Sequence, residues 1–179
     1  MNKIAQIFSL TLVFILTQQF LGCSLSQTQL IHIKKDTSPS WINNPKIKDN
    51  LSVVASSNIT STSFIALRDN AYTNSKISLQ KTIEKNINSF LIATLQHTKS
   101  LTLQDTAKKI SLNSIEKSKI LKLFQNKNSK IFVLRSISTN IIIEDMQNYA
   151  KQLQDQTLYQ TILLNINNGN LKYYLQNTN

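Results

Sequence analysis

Apolar and polar positions follow two different rhythms along this chain, and the switches between them mark its predicted elements. Residues 51–55 (LSVVA) are a short apolar run bounded by Asn and Ser, which predicts a first strand. From residue 63 to residue 97 there is no Gly or Pro, and Tyr72, Leu79, Ile83, Ile87, Phe90 and Leu91 recur at intervals of three, four or seven. That spacing predicts a long helix with one apolar stripe, preceded by the Ser- and Thr-rich residues 57–63 as N-cap candidates. Lys76, Lys81, Lys85 and many amides fall on its other face. At 1.5 Å per residue such a helix runs roughly 50 Å, so a break or bend is expected.

The second half is read element by element. Residues 99–112 have no clear rhythm and are taken as a connector with a helical turn. Residues 113–126 predict a shorter helix, with Asn113 or Ser114 as N-cap and Ile120, Leu121 and Phe124 facing inward. Residues 130–143 (KIFVLRSISTNIII) are the clearest strand region, with Ile131, Val133 and Ile137 on one side and Phe132 and Leu134 on the other. Residues 144–154 predict a helix that buries Met146, Tyr149, Ala150 and Leu153. Residues 159–166 and 171–175 flank Asn167-Asn168-Gly169-Asn170, and Asn-Gly supplies the positive φ angles of tight turns between antiparallel strands. The expected class is therefore α+β: a small antiparallel-rich sheet, a long helix packed on one face, and a C-terminal β-hairpin.

The N-terminus breaks from this pattern. Lys3 precedes thirteen mostly apolar residues, 4–16 (IAQIFSLTLVFIL), and polar Thr17, Gln18 and Gln19 end the run. This is the layout of a secretory signal peptide, and it falls short of the roughly twenty residues a spanning helix needs. Phe20-Leu21-Gly22-Cys23 then resembles the lipobox cut by lipoprotein signal peptidase, with Phe20 departing from the usual aliphatic residue. Gly22 leaves room for the peptidase, and the Cys23 thiol is the group that takes the diacylglyceryl moiety, whose acyl chains are of the palmitate type. The competing reading is a buried or reactive cysteine, but this is the only Cys in the chain and it ends a signal-type segment. With one Cys no internal disulfide can form, so an exported domain must be held by its core alone. Two or more acyl chains anchor stably where one does not. By resemblance to other lipoproteins, Ser24 after the Cys does not suggest inner-membrane retention, so an outer-membrane address with the domain facing the periplasm is expected.

This reading divides the chain into a signal peptide (1–22), a lipidated tether (23–50) and a single α+β domain (51–179). Both prolines, Pro39 and Pro45, lie in the tether. Trp41 is its exception, and is expected to dock on the domain. Removal of residues 1–22 leaves 157 of the 179 residues, enough for one domain with a core. Lys and Arg total 20 against 9 acidic residues; only Lys3 leaves with the signal, so the mature side chains balance 19 against 9, or +10. Such an excess suits anionic head groups, acidic glycans or acidic proteins, although most of the lysines read as solvated surface. Nucleic acid is disfavoured, because the lysines are scattered and the export signal takes the chain out of the cytoplasm.

Candidate chemistry is sparse. Gly22 and Gly169 are the only glycines, which excludes the Gly-rich phosphate loops of nucleotide-binding folds and a GxSxG nucleophile elbow. His32 and His97 are the only histidines, with no HExxH or paired spacing, so no metal or cofactor is expected. Glu144-Asp145 is the only adjacent acidic pair; it is read as stabilising a helix N-terminus ahead of acting as an acid/base dyad. Asn58-Ile59-Thr60 fits a glycosylation acceptor, discounted because Ser56 stands where the bacterial signal wants an acid. No catalytic residue is assigned, and binding or assembly is expected ahead of catalysis.

Pro39-Ser40-Trp41 is followed by Pro45, then by Ala66-Leu67-Arg68, Ala71 and Leu79. Over residues 40–90 these resemble the Trp motif and the helix signature of the Lpp-twenty family of small outer-membrane lipoproteins. Residues 130–134 (KIFVL) resemble its later strand. The chain departs from the pattern in lacking glycines after Val53-Val54 and in a helix poorer in Ala, and about half the mature chain is covered. The resemblance implies a divergent member: a compact α+β domain, an outer-membrane anchor, no catalytic residues, and a tendency to assemble as a homo-oligomer or with other envelope proteins. Some relatives act around flagellar structures and motility. The competing function is a periplasmic binding module for anionic lipid or cell-wall glycan.

Overall fold

The computed structural model describes residues 38–95 and 100–177. A 3-10 turn (Ser40–Ile42) leads to strand β1 (Asn50–Ser56), helix α1 (Phe64–Thr94), helix α2 (Ser100–Ile115), strands β2 (Lys119–Gln125) and β3 (Ile131–Ser138), and helices α3 (Thr139–Ala150), α4 (Gln156–Asn167) and α5 (Asn170–Asn177). The class is α+β. The sheet is antiparallel in the order β1-β3-β2, and α1 packs across one of its faces.

Alternation along the central strand β3 sets the two faces. Ile131, Val133, Arg135 and Ile137 point toward α1, while Phe132, Leu134 and Ser136 point the other way. Pairing extends the set that faces α1: Leu51 and Val53 lie opposite Ile137 and Arg135, and Leu123 lies opposite Val133. Backbone parity fixes the edges too, since Ser57 N–H donates to the Ile131 carbonyl and Asn126 N–H to the Lys130 carbonyl. Odd residues of β3 therefore bond β1 and even ones bond β2.

Helix α1 follows its sequence pattern closely. Ser63 Oγ accepts from Ala66 N–H at the N-cap. Leu67, Ala71, Ser75, Leu79, Ile83, Ile87, Phe90 and Leu91 form its buried stripe. The expected break is missing: all 31 residues belong to one helix. Its N-terminal part closes a small cluster with Leu123, Ile131 and Val133. The rest builds the larger cluster with α2, α3, α4 and α5, where complete burial of each large side chain contributes about 1.5–3 kcal/mol.

Three other expectations are corrected. Of the connector expected over residues 99–112, residues 100–112 are helical: α2 runs through Ile115 and buries Leu103, Ala107 and Ile110. The helix expected over residues 113–126 is the end of α2 followed by β2, so Asn113 and Ser114 finish a helix instead of starting one. Leu123 and Phe124 are buried at strand spacing, whereas Leu121 is exposed beside a bulge in the β2–β3 register. The strand region stops at Ser138, whose Oγ accepts from Asn140 N–H and starts α3 before residue 144.

The C-terminal β-hairpin is replaced by α4 and α5. Leu158, Ile162 and Ile166 recur every four residues, as do Leu171 and Leu175, and all five join the larger cluster or pack on it. Asp155 supplies the α4 N-cap by accepting from Leu158 N–H at 3.0 Å. Gly169 does take positive φ (+80°), but as the residue that ends a helix, with its N–H on the Ile166 carbonyl. The hairpin that does form joins β2 to β3 through Lys127-Asn128-Ser129. Ser129 takes the left-handed conformation (φ +59°), and the Asn126 side chain accepts from Lys130 N–H.

Candidate functional site

The most elaborate polar centre sits where the end of α2 meets α3. The Asp145 side chain is only 3 % exposed, on the inner face of α3. It accepts from Asn113 Nδ2 (2.9 Å) and Ser114 Oγ (2.8 Å), and it pairs with the Lys117 ammonium, whose side chain is 44 % exposed. Asn113, Ser114 and Lys117 converge because i, i+1 and i+4 share a face at a helix end. A neighbouring cleft of about 270 Å³ is lined by Lys109, Ile110, Asn148, Tyr149 and Gln152 as well. On the same helix pair the Thr106 and Tyr149 hydroxyls are 2.8 Å apart and hydrogen-bonded.

This geometry ties two helices together. Both Asp145 oxygens are occupied by donors, so the carboxylate is held as an acceptor. Ser114 is fully buried and its proton is directed at Asp145, leaving no exposed hydroxyl to attack a substrate. Asp145 lies midway along α3, so the expected stabilisation of a helix N-terminus is not its role, and its neighbour Glu144 is exposed.

A second centre fills the gap between the two apolar clusters. Arg135 points at α1, donating from Nε to Ser75 Oγ (3.1 Å) and from Nη1 to Ser118 Oγ (2.9 Å). Those hydroxyls pass their own protons to the Tyr72 and Ile115 carbonyls. Burial lowers the Arg135 pKa from its ordinary value, and the nearby Glu116 carboxylate, then Tyr72, act in the opposite direction. A depressed pKa in a base means that the fold disfavours the charged form. That cost applies throughout the range below the folded pKa and relaxes only in strong alkali, so Arg135 gives stability no slope near neutral pH. Glu116 itself bridges to Lys76 of α1 at 2.8 Å.

Of the residues singled out in the sequence, Gly22, Cys23, His32 and His97 lie outside the described residues. Trp41 is half-buried in the 3-10 turn, which rests against β3. Leu79 and Ile83 are core, and Tyr72 packs on the smaller cluster with the Arg68 guanidinium 5.7 Å from its ring centre. Asn58, Ile59 and Thr60 occupy an exposed loop, where Asn58 N–H donates to Asn70 Oδ1. Sequence reasoning missed the donors around Asp145, because reading residue 113 as a helix start pointed them elsewhere. It also missed Asn86, fully buried on α1, whose amide oxygen and nitrogen have no hydrogen-bond partner among the described residues.

Among the described residues no group of three or more His, Cys, Asp or Glu is placed to hold a metal ion, and no helix is long and apolar enough to cross a membrane. The chain matches no protein-family model, and no curated protein is similar to it at a significant level.

Proposed function

We propose that this chain is an exported lipoprotein, cut between Gly22 and Cys23 and acylated on Cys23. Its non-catalytic α+β domain is held at the outer membrane, facing the periplasm, and assembles with itself or with other envelope proteins. The observation that carries this reading is the run from Lys3 to Cys23, a short apolar segment ending in Leu-Gly-Cys with the chain's only thiol. The motifs shared with the Lpp-twenty lipoproteins support it, and bring with them the link to motility. The use of Asp145 and Ser114 as a sealed helix clamp supports a role outside catalysis.

Both sheet edges are blunted, which favours assembly through a surface over strand addition. On β2 the edge carries a bulge, Lys119 and Lys122. On β1 the outward backbone groups belong to Asn50, Ser52, Val54 and Ser56. Asn50 N–H is taken by the Ile47 carbonyl and the Ser56 carbonyl by Asn74 Nδ2, leaving a stretch of two residues between them. The segment from Leu171 to Leu175, which a hairpin would have offered as an edge, is helical.

Cross-linking in intact envelopes, followed by sedimentation in detergent, tests the assembly role. Adducts with a second copy or another envelope protein, and sedimentation above the monomer, are expected. A chain that cross-links to nothing and sediments as a monomer at every concentration contradicts it.

A further inference from the structure

The positive charge of the domain is not spread evenly. Between Glu116 and Glu144 there are six basic residues and no acidic one. Of these, Lys117 is engaged on Asp145 and Arg135 lies under α1. Lys119 and Lys122 stand opposite Ser136 and Leu134, so both belong to the sheet face that points away from α1. Lys130 reaches the same face, with its ammonium 5.6 Å from the centre of the Phe132 ring. All three are exposed, and none forms an ion pair among the described residues.

The N-terminal segment arrives on this face as well. The turn Ser40–Ile42 rests against β3, whose other side is occupied by α1. Leu134, Ser136 and, on β2, Phe124 are buried on this face, while Lys119 and Lys122 of β2 stay exposed. Fourteen residues separate Cys23 from Ser38. A chain of that length spans at most about 50 Å in any conformation, so an acylated Cys23 keeps this face within reach of the bilayer. Lysines that form no ion pair among the described residues, gathered on one face near an anchor, describe a surface that rests on anionic head groups.

We infer that the outer face of the sheet, through Lys119, Lys122 and Lys130, docks on anionic phospholipid and fixes the orientation of the tethered domain. This inference rests on the anchored reading above. The test is lysine acetylation of the native, full chain in liposomes, quantified by mass spectrometry, in phosphatidylcholine alone and with phosphatidylglycerol added. In the anionic vesicles Lys119, Lys122 and Lys130 are expected to react about threefold more slowly or less, with Lys108 and Lys109 of α2 unchanged, and high salt is expected to abolish the difference. Equal reactivity in the two vesicle types overturns the inference. So does protection that appears only in whole envelopes, which would mean that a protein covers the face.

Intact mass of the same sample separates this outcome from failure of the anchor. If Cys23 carries no lipid, the anchored reading falls, and the face is judged by mixing the unacylated chain with the same vesicles. Protection of the three lysines on anionic vesicles alone then still supports the docking surface, and its absence overturns it.

Discussion

Two polar side chains buried in this domain have opposite surroundings. Asp145 enters the α2–α3 contact with three donors already aimed at it, one of them a lysine that keeps its other side in water. Asn86 enters the larger cluster from α1 beside Ile83, Ile87 and Phe90, and neither end of its amide has a partner among the described residues. A charge is more expensive to bury than an amide, yet here the charge is compensated and the amide is not. What a buried polar group costs is decided by the donors and acceptors around it more than by its own polarity.

Substitutions at these two positions sharpen the contrast. Asp145→Ala should have the largest effect, a loss of about 3 kcal/mol by urea unfolding, because Ser114 is left buried without an acceptor. Lys117, being partly exposed, turns to water and keeps the loss from growing further. Asp145→Asn should cost about 2 kcal/mol, since its outline is kept while one oxygen becomes a donor facing donors. Asn86→Leu keeps the same branched outline and should instead stabilise by about 1–2 kcal/mol; a loss of stability there would show that the amide is satisfied. Lys117→Ala should be the mildest, about 1 kcal/mol, and combining it with Asp145→Ala should add little to the single Asp145 loss.

The same contrast marks what the sequence made legible. Helix α1 was readable because eight apolar or small residues repeat on one stripe for nearly its whole length, and no Gly or Pro interrupts them. Strand β3 was readable because both its faces are largely buried. The two Asn-rich turns were harder. Asn167-Asn168-Gly169-Asn170 has the stronger hairpin signature, yet it joins helices, whereas Asn126-Lys127-Asn128-Ser129, without glycine, joins strands. Both need a residue at positive φ, so the turn residues alone could not distinguish them. The flanks could: Leu158, Ile162, Ile166, Leu171 and Leu175 keep a period of four on either side of Gly169, and Asp155 stands where an N-cap belongs.

The Asp145 clamp was only half legible. The acidic pair was visible, but its donors lie about thirty residues away, on a helix end that the sequence presented as a helix start. Asn86 was hidden among the many amides of α1, most of which face solvent. The basic outer face appears only once β2 is a strand, because the register with Ser136 and Leu134 is what places Lys119 and Lys122 on one side of the sheet.

The central claim is that Cys23 anchors this domain, and intact mass with membrane fractionation of the native chain beside Cys23→Ser tests it most directly. The account predicts a wild-type mass lacking residues 1–22 and carrying acyl chains, in the outer-membrane fraction, with both features lost in the variant. A wild-type chain that keeps residues 1–22 and carries no lipid would contradict it.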